Sequence, residues 1–223
     1  MNLRKGVATI RAWRAGAPLG DVVVLKIDAL AAPPRGIESR LAAVRGYWPK
    51  HDLARLRTLP AGTLGREYAR FLDANGIEPL VISESVKERF RDNPYALRYA
   101  TTHDLHHVLA GFDAGLAGEA GVVGFNVGQG SLPGGRVLLW GPRLLWSLLS
   151  PTQARRIWHN LRVGRELGSR ARLVMAQPLE EWFGEPLEQV RERLGIPDPP
   201  AAGVLASGTS LISEVLYKRG QAA

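Results

Sequence analysis

The chain has 223 residues, of which 45% are hydrophobic and 22% charged, a balance ordinary for a soluble globular protein and enough to bury a substantial core. It contains no cysteine, which excludes a disulfide framework, a thiolate metal site and a thiol nucleophile, so a bound metal would have to be held by imidazole and carboxylate. A formal net charge of +8 favours an anionic partner, and charge alone does not choose among nucleic acid, a membrane surface and a phosphorylated ligand.

Residues 1–19 carry Arg4, Lys5, Arg11 and Arg14 and no acid, which superficially resembles an organelle transit peptide. Val7, Ile10 and Trp13 fall at near-helical spacing, so the segment is better read as a basic first helix. Residues 21–32, 37–47, 52–59, 63–75 and 83–91 repeat apolar positions at three- and four-residue steps and are predicted helices, with Pro33-Pro34, Pro49, Pro60-Ala61-Gly62 and Asn93-Pro94 as punctuation. In TLGREYARFLDANGI, Thr63 suits an N-cap with Glu67 near the first turn, Leu64, Tyr68, Phe71 and Leu72 form the apolar stripe, and Gly76 suits a C-cap.

Further helices are expected over 138–149, 151–168 and 186–195, while the glycines of GFNVGQGSLPGG read as a turn-rich connection without a phosphate-binding signature. GPRLLWSLLSP and Trp13 are stripes that core packing or lipid would explain, and Arg155, Arg156, Arg162, Arg165, Arg170 and Arg172 make a basic stretch suited to solvent or to anionic lipid. No segment alternates like a half-buried strand and no apolar run approaches the length of a membrane span. The expected fold is therefore all-α: a single compact multi-helix domain with short irregular connections over 1–197, then a loose tail over 198–223 rich in proline, glycine and serine, with a short helix in LISEVLYKR.

The stretch TTHDLHHVLAGFDAGLAGE, residues 101–119, holds three of the five histidines. Thr101 and Asp104 have the spacing of a capping box, which predicts a helix start near Thr102. With His103 at zero on the helical wheel, His107 lies at about 40° and Asp104 at about 100°, whereas Leu105, Val108, Leu109 and Phe112 occupy roughly 140° to 240°. The polar sector thus faces away from the apolar stripe, and His106, at about 300°, lies on the far side of His103.

Two imidazoles one turn apart with a carboxylate beside them supply three ligands for a divalent cation such as zinc, with Glu119 as candidate fourth. On a straight helix Glu119 would lie roughly 18 Å from His107. The chain must turn back, and Gly111, Asp113, Gly115 and Gly118 offer places to do so. Taken by itself the pair His-x-x-x-His is a weak metal signal and fits a polar helix surface, or stabilisation of the helix N-terminus by Asp104, better than a metal site.

His103-Asp104-Leu105-His106-His107, eleven residues and then Glu119 resemble the hallmark His-Asp-x-x-His-x11-Glu of the ubiquinone (coenzyme Q) biosynthesis protein 4 family. LPAGTLGREYARFL, GFNVGQG after the glutamate and PLEQVRERLGIP support the likeness, which covers about residues 20–197. The tail departs from it, and the histidine at variable position 106 adds an alternative ligand. The resemblance implies an all-helical fold and a divalent metal, zinc in the first place, held by His103, Asp104, His107 and Glu119, through which those residues would act in catalysis.

The resemblance also implies a prenylated quinone precursor as ligand, and a site peripheral to the inner membrane: cytoplasmic, or on the matrix side in a mitochondrion. Other ubiquinone biosynthesis proteins, an anionic membrane surface and a second copy of the chain are the implied partners; nucleic acid is not. Two function classes remain. One is a metal-dependent decarboxylase removing the C1 carboxyl group of a prenylated hydroxybenzoate, with oxidation at that carbon. The other is a non-catalytic scaffold or lipid-binding organiser of a biosynthetic complex. The sequence shows no flavin or nicotinamide motif, so an oxidant would be molecular oxygen or come from elsewhere.

Overall fold

The computed structural model describes residues 3–30, 32–49, 52–132 and 140–208. Among them are eleven α-helices and no strand: α1 (Leu3–Arg14), α2 (Leu19–Leu30), α3 (Ile37–Arg40), α4 (Leu53–Arg57), α5 (Leu64–Asn75), α6 (Glu84–Arg89), α7 (Tyr95–Ala110), α8 (Leu116–Gly128), α9 (Trp140–Leu149), α10 (Ala154–Arg170) and α11 (Leu187–Leu194). The all-α expectation holds. None of these helices is long and apolar enough to cross a membrane.

The chain divides into two compact units, Met1–Leu105 with Leu173–Val190, and His106–Arg172 with Arg191–Ala223. In the first, Val24, Leu25, Ile82, Val86, Phe90, Leu97 and Ala100 form one core, with Trp48 and Leu80 against it. A second core gathers Ile37, Leu41, Val44, Tyr95, Leu173 and Met175. Helix α5 shows how the sequence sets the boundaries. Thr63 caps it by accepting from the Arg66 amide, Glu67 accepts from the Gly62 amide, and Gly76 ends it at φ 61°, where a side chain would be strained. Its Leu64, Tyr68 and Leu72 are buried, as the spacing predicts; Tyr68 stacks on Phe183 at 5.8 Å.

In the second unit α8 lies along α10, and the approach is one of backbone to backbone. A Cβ on Gly124 would strike the Leu161 carbonyl, one on Gly164 the Gly121 carbonyl, and one on Gly168 the Phe125 carbonyl. Ala117, Ala120, Ile157 and Leu161 complete this core. The expectation of a turn-rich connection through GFNVGQG is therefore corrected: the helix continues to Gly128. Intrinsic propensity disfavours glycine by about 1 kcal/mol per residue in a helix, but tertiary packing that only glycine permits overrides it here.

Three other expectations shift. Residues 37–47 form a single α-turn, α3, and a 3-10 turn over Ala42–Val44 rather than one helix. The helix expected from 151 starts with a 3-10 turn, Pro151–Gln153, before α10. The stretch after Pro197, expected to be loose, is hydrogen-bonded as far as Ser207: His159 to the Gly203 carbonyl at 2.7 Å, Asn160 to Leu205 in both directions at 2.7 and 3.1 Å, and Ser207 to Asp113. The short helix in LISEVLYKR lies outside the described residues.

Candidate metal centre

Helix α7 begins at Tyr95, not near Thr102. Its first turn is set by Asn93 and Pro94: the Asn93 side chain accepts from the Tyr95 amide at 3.3 Å and the Pro94 carbonyl from the Arg98 amide at 2.7 Å. Thr101, the expected cap, sits within the helix and bonds back to the Leu97 carbonyl at 3.1 Å, an alternative use of the same hydroxyl that sequence spacing does not distinguish from capping. Farther along α7, Leu105 and Leu109 are fully buried and Val108 nearly so. The apolar stripe is core, and the His103/His107 sector faces elsewhere.

The chain reverses after α7 as the spacing requires. Gly111 adopts φ 74°, a conformation open to glycine. Asp113 accepts from the Gly115 amide at 3.0 Å, and α8 starts at Leu116, placing Glu119 in its first turn. Ligand atoms of His103, His107 and Glu119 then lie within 4.8 Å of one another.

His107 is 1% exposed, and its Nδ1 lies 3.2 Å from the Phe112 carbonyl and 3.0 Å from the Asp113 carbonyl. Carbonyl oxygens only accept, so Nδ1 carries a proton. In the neutral ring, Nε2 is then the lone-pair nitrogen, and it stands 3.3 Å from Glu119 Oε1. Two acceptors at that distance repel unless a proton or a cation lies between them. Tetrahedral coordination with bonds near 2.1 Å separates adjacent ligand atoms by about 3.4 Å. The His107–Glu119 separation therefore fits a shared divalent ion, and the carbonyl clasp on Nδ1 is the kind of outer support that orients a metal-bound imidazole. His103 and Glu119 are only partly buried, so the cluster is accessible on one side.

Asp104, the fourth expected ligand, is not part of this cluster. It lines a cavity of about 520 Å³ together with Tyr68, Thr101, Arg98 and the apolar side chains of Trp48, Leu80, Ile82 and Leu97. Its charge is felt there: the Tyr68 hydroxyl is pushed well above its ordinary pKa, first by burial and then by the negative charges of Asp104 and Glu180. The alternative ligand His106 is fully buried and packs on Phe125 with ring centroids 5.8 Å apart. The Phe112 and Asp113 carbonyls, which fix the His107 tautomer, were not foreseen, because backbone acceptors leave no mark in a residue pattern.

A family model for the coenzyme Q (ubiquinone) biosynthesis protein Coq4 matches residues 48–200. The chain belongs to the Coq4 family. Among relatives, it is 32% identical over 193 residues to the zebrafish (Danio rerio) ubiquinone biosynthesis protein COQ4 homolog, mitochondrial, covering 84% of this chain and 69% of that one. It is 37% identical over 179 residues to the mouse (Mus musculus) homolog of the same description, covering 78% of this chain and 65% of the mouse protein. The chain thus spans about two thirds of the length of these Coq4 relatives. A crystal structure from Nostoc punctiforme described as a ubiquinone biosynthesis protein matches with a TM-score of 0.57 and 25% identity over 82% of this chain and 83% of that one.

Proposed function

We propose that this Coq4-family protein acts in ubiquinone biosynthesis by promoting loss of the C1 carboxyl group as carbon dioxide, with oxidation at that carbon by molecular oxygen or another oxidant supplied from outside the chain, from a prenylated hydroxybenzoate-type precursor at a membrane. The observation that carries this reading is the convergence of His103, His107 and Glu119 beside a half-open face. A bound divalent ion, zinc in the first place, supplies Lewis acidity toward a carboxylate or phenolate oxygen.

The chain's own residues do the rest. His107, held by the 112–113 carbonyls, keeps Nε2 turned toward Glu119, where the two would hold the ion between them. Glu119 brings a hard oxygen from a second helix, while Asp104, next in the chain to His103 and outside the three-residue cluster, lines the cavity, where its carboxylate is available to a ring hydroxyl of a bound head group. The mainly apolar walls at Trp48, Leu80, Ile82 and Leu97 exclude water from an aromatic head group and the first part of its prenyl chain.

The test is metal analysis of purified protein combined with profiling of quinone intermediates in a deletion strain. His107→Ala and Glu119→Ala should each lower bound metal at least tenfold while leaving a folded chain, and a carboxylated prenyl-phenol should accumulate. Normal ubiquinone from both variants would overturn the catalytic reading in favour of a scaffold.

A further inference from the structure

Helix α1 packs against the protein by the side that composition would place outside. Ala8, Thr9 and Ala12 are half-buried, Ala12 lies against the core around Val24 and Ile82, and Lys5 pairs with Asp28 at 2.7 Å. The opposite side carries Val7, Ile10 and Trp13 at 43%, 52% and 68% exposure, flanked by exposed Arg4, Arg11 and Arg14. A helix stabilised by folding alone would turn Val, Ile and Trp inward. The apolar surface continues beyond α1: Leu19 is 70% and Val81 73% exposed, and the two are adjacent, because Gly20 rests directly on the Val81 carbonyl. Val81 also lines the 520 Å³ cavity.

We propose that the outer face of α1, with Leu19 and Val81, docks onto an anionic lipid bilayer and sets the cavity entrance against it. Charge decides the occupant. Residues 1–20 contain no acid, so within α1 itself the charged neighbours of the Val7–Ile10–Trp13 stripe are all cations. A second copy of the chain laid face to face would oppose three arginines with three arginines, whereas phosphate head groups neutralise them and acyl chains receive the tryptophan. The arrangement gives a membrane-dissolved substrate a direct way into the cavity, which rests on the function proposed above. The docking itself does not.

The experiment is flotation of the full chain with vesicles of phosphatidylcholine alone, or mixed with phosphatidylglycerol, together with tryptophan quenching by brominated acyl chains. The wild-type chain should float only with the anionic vesicles and release as salt rises, and Trp13→Phe should remove most of the quenching. Arg11→Glu with Arg14→Glu should weaken binding by at least about twentyfold, since each charge near an anionic surface is worth roughly fivefold. Ile10→Asp with Trp13→Asp should weaken it at least tenfold, with an unchanged circular dichroism spectrum and unchanged bound metal, because these side chains point away from the fold. Equal flotation with both vesicle types, or full binding by the Ile10/Trp13 variant, would overturn the proposal. So would a wild-type dimer that this variant dissociates, which would assign the face to a second copy. Failure of the decarboxylation reading would leave all these results unchanged.

Discussion

Two regions of the molecule solve the packing problem in opposite ways. Around the first half of α7, a large charged side chain is taken inside. Arg98 is 1% exposed and each of its three side-chain nitrogens donates: Nε to the Met175 carbonyl at 3.0 Å, one terminal nitrogen to the Gln177 carbonyl at 2.8 Å and the other to Glu180 at 2.8 Å. Its guanidinium also lies over the Tyr47 ring. Between α8 and α10, by contrast, side chains are excluded and carbonyls meet α-carbons. The first region should therefore be most sensitive to loss of charge pairing and the second to a single added methyl.

The largest expected effect is at Arg98. Arg98→Met leaves Glu180, whose side chain is 3% exposed, without its cation, and destabilisation of about 3–5 kcal/mol is expected in urea unfolding. Adding Glu180→Leu should recover much of it; failure to recover would show that the carbonyl bonds, rather than the charge pair, dominate. Next is Gly164→Ala, where the new methyl meets the Gly121 backbone and helix separation must grow, at a cost of roughly 2–3 kcal/mol. The same change at exposed Gly184, which has open space, should alter stability far less. An equal response at both positions would show that the close approach is not limiting.

Thr63→Ala should cost about 1 kcal/mol by removing the cap of α5, placing an ordinary helix end between these extremes. The smallest effect is confined to alkaline solution. Tyr95 is pushed up to about 12 by burial, and Tyr68 and Tyr47 are raised further, by burial first and nearby carboxylates second. Because the folded protein holds these protons more tightly than the unfolded chain does, their contribution is fully present below the unfolded value near 10 and is lost as pH rises above it. Absorbance at 295 nm should show these three tyrosines ionising late, together with unfolding. Free titration near pH 10 would contradict their burial.

Helical spacing made α1, α2, α5, α6 and α10 legible, and the turn needed to return Glu119 to His107 could be deduced from rise per residue alone. What escaped the sequence shares one cause: its meaning depends on a distant partner. Thr101 looks like a cap until Pro94 is seen to start the helix. The glycines of α8 look like a loop until Gly164 and Gly168 arrive from α10. The Val7–Ile10–Trp13 stripe marks a helix correctly, yet its direction is set by the Lys5–Asp28 pair, twenty-three residues apart. Asp104 and His107 share a helical sector, but the cavity and the turn draw them to different neighbours.

Ser207 stands 94 residues from Asp113 in sequence, yet its amide and hydroxyl both engage that carboxylate at 2.5 Å, and its oxygen accepts from the Gly118 amide at 3.0 Å. Asp113 is the residue whose carbonyl grips His107, and Gly118 precedes Glu119. The far end of the described chain is thus tethered to the loop that aims two ligands. A chain cut after Pro197 would keep every proposed metal ligand and still lose the splint that holds two of them in register, so its affinity for the ion should fall although its composition at the site is unchanged.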